Sequence, residues 1–241
     1  MNLTIDIGNT QTKIIIFQDT IPVFRKVTNT LSLLFLKKIF KNYSINNIML
    51  STVVDIDKLI LKYLKSLKGF EVLSVKTLLP ILNKYRTPAT LGKDRLANAV
   101  AGAFLFPGKN VLIIDIGTCI KFDFVNARNQ YLGGSISPGM EMRFKSLHHF
   151  TGKLPLIHDS PKINIIGKST QEAIQSGVIN GMTEEINGIV LRYKKIYKTL
   201  TVIVTGGHAL RFAGELKISI FAAADMVNIG LNEIIRFNRS E

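Results

Sequence analysis

The sequence predicts an α/β protein of two similar lobes, each built on a mixed sheet. Three observations carry that expectation: a short motif that occurs twice about half a chain apart, a strand meander that opens each half, and helical patterns that alternate with strands behind each meander. The motif reads Asp6-Ile-Gly-Asn-Thr10 after the apolar run at 3–5, and Asp115-Ile-Gly-Thr118 after the apolar run at 111–114. A single copy is explained by a β-turn whose Asp and Gly merely satisfy local geometry. Two copies behind matching strands point instead to lobes that face one cleft.

The elements follow in order. Residues 3–7, 13–17 and 22–25 read as a meander with its turn at Gln18-Asp-Thr20. A helical pattern at 31–40, a strand at 48–51, an amphipathic helix at 55–67 and a strand at 70–75 complete a β-β-β-α-β-α-β order. The stretch 78–93 is a proline-containing loop ending in Gly92-Lys-Asp-Arg95, and 96–106 is a helix stopped by Pro107-Gly108. The order then restarts, with strands at 111–115, 121–126 and 131–136. A helix at 139–150, a loop at 151–166, a long helix at 170–197 softened by three glycines, a strand at 201–204 and a closing helix at 226–237 follow. The lobes are expected at 1–109 and 110–241, with no flexible tether between them.

The chain has 241 residues, 46% hydrophobic and 20% charged, the composition of an ordinary soluble domain pair. The N-terminus enters a strand at once, so no signal peptide is expected, and no apolar run spans a bilayer. A single cysteine, Cys119, suits a reducing cytoplasm. The net charge of +14 invites a nucleic-acid reading. However, Lys58, Lys62, Lys65 and Lys68 recur at helical spacing, with leucines between them and no interleaved aromatic platform, so a solvated basic surface is expected instead.

Several blocks carry chemistry. In Asp6-Ile7-Gly8-Asn9-Thr10-Gln11-Thr12-Lys13, the glycine permits close approach, Asn9, Thr10 and Thr12 offer donors to phosphate oxygens, and Lys13 adds a point charge. Asp6 is placed to orient hydrated Mg²⁺, which keeps its waters and takes few protein carboxylates. The two Asp-x-Gly-[Asn/Thr] loops together read as a clamp on a nucleotide polyphosphate. Gly92-Lys93-Asp94-Arg95, with Tyr85 and Pro88 before it, sets a carboxylate beside a guanidinium, which suits a hydroxyl to be deprotonated and an anionic group to be held. The plainer alternative makes Asp94 a helix cap or first-turn acid. Gly133-Gly-Ser-Ile-Ser-Pro-Gly139 is a turn into a helix, Thr170 caps its own helix in the plain account, and Thr205-Gly-Gly207 has the shape of an adenosine-side contact. The four histidines show no metal spacing.

The blocks D-x-G-N-T-x-x-K from Asp6, Y-x-x-P-x-x-x-G-x-D-R from Tyr85, D-x-G-T from Asp115, G-G-x-I-x-P-G from Gly133, I-G-x-S-T-x-E-A from Ile166 and T-G-G from Thr205 stand in an order that closely resembles type III pantothenate kinase. The resemblance implies the acetate and sugar kinase, Hsp70 and actin superfamily, a duplicated ribonuclease-H-like (actin-like ATPase) fold around a nucleotide cleft. It implies ATP-dependent phosphorylation of the primary hydroxyl of pantothenate to 4'-phosphopantothenate, the first step of coenzyme A synthesis, by a cytoplasmic homodimer. By position, residues 6–13 and Thr118 contact ATP, with Mg²⁺ held through water at Asp6. Asp94 accepts the proton, and Tyr85, Gly92, Lys93, Asp94, Arg95 and Thr170 contact pantothenate. Asp115 holds K⁺ or NH₄⁺, and activity is expected to depend on that ion.

Three positions depart from the family pattern. Cys119-Ile-Lys121 stands where Ala-x-Thr is usual, His208 follows Thr205-Gly-Gly207 where an acid is common, and Asn228-Ile-Gly-Leu231 replaces Leu-Glu-Gly-Leu. Lys121 either points outward as a surface lysine or inward, where it would partly stand in for the monovalent ion. Two rival functions on this fold are a non-catalytic regulator that binds ATP or DNA and a filament or chaperone ATPase. Intact Asp94, Arg95 and Thr170 argue against the first, and the chain's length against the second. Apolar positions Ile174, Val178, Ile186 and Val190 on the long helix serve either a dimer interface or the chain's own core.

Overall fold

The computed structural model describes residues 1–217 and 219–239. In chain order the first elements are β1 (Asn2–Ile7), β2 (Thr12–Gln18), β3 (Ile21–Thr28), α1 (Leu33–Asn42), β4 (Asn47–Thr52), α2 (Lys58–Lys65) and β5 (Phe70–Val72). They make a five-stranded sheet in the order β3-β2-β1-β4-β5, antiparallel between β1, β2 and β3 and parallel from β1 through β4 to β5. Short turns suffice for the antiparallel pairs, whereas the parallel ones need the crossovers that α1 and α2 supply. Ser32 caps α1 by accepting from the Phe35 N–H, and Asp57 caps α2 by accepting from the N–H groups of Leu59 and Ile60. Both helices bury one stripe on the sheet: Leu36, Ile39, Ile60 and Leu64 join Leu3, Ile5, Ile14, Ile16, Ile48 and Leu50 in one core. Each such side chain contributes about 1.5–3 kcal/mol by leaving water. Lys58, Lys62, Lys65 and Lys68 stay exposed around the stripe, as their spacing predicts.

After β6 (Leu82–Asn83), a 3₁₀ turn at Pro88–Thr90 leads into α3 (Lys93–Leu105). The second half contains β7 (Asn110–Ile116), β8 (Cys119–Val125), β9 (Gln130–Pro138), α4 (Met140–His149), α5 (Thr170–Ile196), β10 (Leu200–Thr205), α6 (Ala209–Ala213), β11 (Phe221–Ala222) and α7 (Met226–Arg239). Its sheet runs β11-β10-β7-β8-β9-β6. Set beside the first, the order third-second-first-fourth-fifth recurs, with β6 as an added edge strand. Strand β7 is the most deeply covered, buried from Val111 to Ile116, which is why it reads as an unbroken apolar run. Four short elements escape sequence reading: β6, the 3₁₀ turn, α6 and β11. Helix α3 begins three residues before the apolar pattern at 96–106.

Grouping by contacts gives two compact units: Met1–Lys109 with Asp123–Gly133 and Asp225–Glu241, and Asn110–Phe122 with Gly134–Ala224. The segment 123–133 and the one that begins at Asp225 group with the first unit. In that unit α7 packs on α3 and on β1, β2 and β4. Its fully buried Asn228 donates through Nδ2 to the carbonyl and hydroxyl of Thr4 and to the Lys13 carbonyl. In the second unit Ile174, Val178, Ile186 and Val190 of α5 are at most 7% exposed in the single chain, so they are intramolecular core and leave nothing for a partner. Among the described residues, no helix is long and apolar enough to cross a membrane.

Candidate functional site

In the first unit, the Asp6 motif forms the turn between β1 and β2. The ladder holds Asp6 opposite Lys13 and Ile7 opposite Thr12, and the Gly8 N–H closes the turn on the Gln11 carbonyl at 3.0 Å. Asn9, Thr10 and Gln11 are exposed, Asp6, Gly8 and Lys13 half-buried, and Ile7 and Thr12 buried. The donors open to a ligand are therefore the tip residues, while Ile7 and Thr12 fix the strands that carry them. Asn228, bonded to residues on both sides of the turn, braces its base from α7.

Gly92-Lys-Asp-Arg95 opens α3 in the same unit. Gly92 is the N-cap and Asp94 lies in the first turn, the position the plainer alternative gave it. Its Oδ1 accepts the N–H of Arg95 at 2.9 Å, the chemistry expected of an acid near the positive end of a helix. Gly92 has φ −56, which any residue adopts, so the glycine serves space and not backbone freedom. A Cβ there would come 2.6 Å from Asp94 Oδ1. Gly92→Ala therefore pushes the carboxylate aside while leaving the backbone in place. With Asp94 as the proton acceptor that the resemblance implies, the expected result is a normally folded protein with turnover at least about tenfold lower, because small misplacement of a reacting group is costly. A melting temperature and an initial-rate assay check it, and full activity would remove the carboxylate's position from the mechanism.

Arg95 turns away from solvent, 4% exposed, and meets Asp123: Nε to Oδ1 is 2.9 Å and the nearer terminal nitrogen is 2.7 Å from the same oxygen. Tyr131 donates its hydroxyl to that oxygen at 2.7 Å, Tyr85 and Tyr131 stack 6.1 Å apart, and the guanidinium lies 5.7 Å from the Tyr85 ring centre. Burial pushes the Asp123 carboxyl up to about 6, against the lowering influence of Arg95 and Tyr131, and its Oδ2 is buried without a hydrogen-bond partner. Burial works against the Arg95 charge, but Asp123 outweighs it and the guanidinium is held above its usual range. Tyr131 is raised as well, by burial and then by Asp123. Asp123 and Tyr131 were not singled out in the sequence. The one visible signal is an acid inside the apolar strand Phe122-Asp-Phe-Val125. Lys93 folds back, donating to the Leu91 carbonyl at 3.3 Å.

In the second unit, Asp115 is the last residue but one of β7 and is 8% exposed, and Thr118 is exposed at the turn that follows. Lys121 points inward: its Nζ is 2.7 Å from Asp115 Oδ2. Thr205-Gly-Gly207 packs on the tip of this strand, with the His208 N–H donating to the Ile116 carbonyl at 2.9 Å. Thr170 does not cap its own helix. Ser169 is the cap of α5, accepting from the Glu172 N–H at 3.2 Å, while Glu172 returns to the Lys168 N–H at 2.7 Å. Thr170 is exposed at the first helical position, its hydroxyl not used for capping.

The family model for type III pantothenate kinase matches residues 2–192. A type III pantothenate kinase from Bacteroides fragilis (strain YCH46) is 43% identical over 239 residues, 99% of this chain and 98% of that one. Another from Christiangramia forsetii is 43% identical with 100% of both chains covered. A third, from Cytophaga hutchinsonii, is 47% identical over 73% of this chain and 74% of that one. Among solved structures, the (R)-2-hydroxyglutaryl-CoA dehydratase component A of Acidaminococcus fermentans superposes with TM-score 0.58 at 13% identity, covering 100% and 99% of the two chains. The polyphosphate/ATP-glucomannokinase of an Arthrobacter strain gives 0.53 at 14%, covering 98% of each. These structural likenesses, with the strand order found twice, place the chain in the duplicated ribonuclease-H-like, actin-like ATPase fold. The matched span, the identity along the full length and the motifs held in that fold make the chain a member of the type III pantothenate kinase family.

Proposed function

We propose that the protein transfers the γ-phosphoryl group of ATP to the primary hydroxyl of pantothenate, giving 4'-phosphopantothenate for coenzyme A synthesis. The observation that carries this reading is Asp94, a carboxylate at the head of α3 with its space kept by Gly92 and a buried, counter-charged guanidinium next in sequence. Phosphoryl transfer passes through a loose transition state, so catalysis is mainly positioning and charge neutralisation. Asp94 orients the hydroxyl and takes its proton late. Arg95, fixed by Asp123 and Tyr131, and Tyr85 stacked on Tyr131, form a rigid wall to which Gly92 and Lys93 add substrate contacts, and the resemblance implies a further contact from Thr170.

ATP phosphates lie along the exposed tip of the Asp6 turn, residues 8–11, with Lys13 as a point charge, and the resemblance implies a nucleotide contact from Thr118. One carboxylate with neighbouring hydroxyls is a donor set that fits hydrated Mg²⁺; Asp6 would hold the ion through its waters, and the ion would supply neutralising charge to the phosphates. The resemblance also implies K⁺ or NH₄⁺ at Asp115, and the Lys121 ammonium on that carboxylate separates this chain from that expectation. The working form is a cytoplasmic homodimer on the same resemblance, with an interface that uses residues other than Ile174, Val178, Ile186 and Val190. Sedimentation at working concentration should give a dimer, and a fully active monomer would defeat that part. The function itself is tested by ADP release in Mg²⁺-ATP with and without pantothenate. Release should require pantothenate, and ATP turnover indifferent to it would overturn the reading.

A further inference from the structure

The residues at Asp115 do not fit a free monovalent cation. Lys121 Nζ stands 2.7 Å from Oδ2, with the two side chains only 17% and 12% exposed. Backbone stands close to the other oxygen. Gly206, at φ +97, lies so near that a Cβ on it would come 2.5 Å from Asp115 Oδ1 and 2.5 Å from the Ile116 carbonyl oxygen. The carboxylate is thus flanked by the Thr205-Gly-Gly207 turn on one side and an ammonium on the other. A potassium or ammonium ion entering at Oδ2 would stand against a like charge at contact distance, which disfavours it.

The placement of the lysine is built into the strands. Asp115 is near the end of β7, Lys121 is on the neighbouring β8, and the turn between them is closed by the Gly117 N–H on the Cys119 carbonyl at 3.0 Å. A side chain on a fixed strand brings its charge without the loss of translational freedom that a diffusing ion incurs each time it binds. An ammonium also matches NH₄⁺ in charge and donor chemistry, and K⁺ in charge.

We propose that Lys121 supplies, from within the chain, the single positive charge otherwise brought to Asp115 by K⁺ or NH₄⁺, so that turnover does not require a monovalent cation. The proposal rests on the reading of the protein as a pantothenate kinase and revises the expectation of potassium dependence.

The test compares wild type, Lys121→Thr and Lys121→Arg in choline chloride and in KCl at equal ionic strength. Two readouts are taken: pantothenate-dependent ADP release and the melting temperature with Mg²⁺-ATP. Wild-type rates should agree within about twofold in the two salts, Lys121→Thr should lose about tenfold or more in choline and regain it in KCl, and Lys121→Arg should keep the wild-type ratio. Potassium should raise the melting temperature of Lys121→Thr and leave that of wild type unchanged. A wild type that needs potassium by about tenfold overturns the proposal. So does a Lys121→Thr protein that is indifferent to potassium in rate and melting, whether active or dead. Should Lys121→Thr fail to fold, the wild-type comparison and the Lys121→Arg ratio still decide. If no protein releases ADP with pantothenate in either salt, the function is wrong, and the wild-type melting temperature alone tests the ion: a rise in potassium overturns the proposal.

Discussion

Asp94→Asn is expected to lower turnover by about 10²–10⁴-fold, the range for a lost general base, while the protein folds as before. The structure explains both halves of that expectation. Asp94 Oδ1 accepts the Arg95 N–H, and an asparagine oxygen accepts the same bond, so the first turn of α3 keeps its local contact. What is lost for stability is the charge at the helix N-terminus, about 0.3–1 kcal/mol. What is lost for chemistry is the only group at that position able to take the hydroxyl proton. Initial rates with saturating ATP, beside a melting curve, check the prediction. Turnover within a few-fold of wild type would remove Asp94 from the chemistry, and a collapsed melting temperature would reassign it to structure.

Asp123→Asn is the second large effect, and it is felt first in stability. Arg95 is 4% exposed and Asp123 fully buried, so removing one partner leaves an uncompensated charge, a loss of about 3–5 kcal/mol. At roughly 2–4 °C per kcal/mol, a drop of about 10 °C follows. The paired change Arg95→Met with Asp123→Leu should recover much of that loss, because well-packed apolar groups often replace a buried pair without cost. It should recover no turnover, since the guanidinium is gone. The pH profile gives an independent check. Asp123 is pushed up to about 6 by burial, so the carboxylate is present above that pH and lost as pH falls through it. Wild-type kcat/KM should therefore decline on the acid side with a midpoint near 6, as Arg95 loses the group that holds it. A profile flat through that region, or Asp123→Asn melting with wild type, would sink the account.

Much of this was legible in the sequence because it follows from period and repetition. The Asp6 and Asp115 turns, the meanders behind them and the amphipathic α2 each announce themselves through alternation or helical spacing. The rest depended on partners distant in the chain. Strand β6 is two residues long and exists because Leu82 and Asn83 find Gln130 and Tyr131, which no local window shows. Asp123 lies on a strand read from its apolar neighbours alone, and nothing local marks the acid as buried. Its burial follows from Arg95, 28 positions earlier, arriving to meet it. Thr170 reads as the cap of its own helix, but the capping-box spacing belongs to Ser169 and Glu172, which make the reciprocal bonds. Lys121 was recognised as a departure, yet its direction required knowing where the tip of β7 would stand.

Asn228 joins a residue near the end of the chain to the turn near its start, with bonds to Thr4 and Lys13. For a protein made from one end to the other, this sets a timetable. Strand β2 leaves the ribosome well before the helix that braces it, since Asn228 follows Lys13 by 215 positions. At roughly 5–20 residues per second, the turn carrying Asp6 waits on the order of ten seconds or more for its brace. The second unit, whose segments end at Ala224, has left earlier and can be complete while the first is still open. Of the two units, the one that holds the Asp6 turn is therefore the one that waits longer to close.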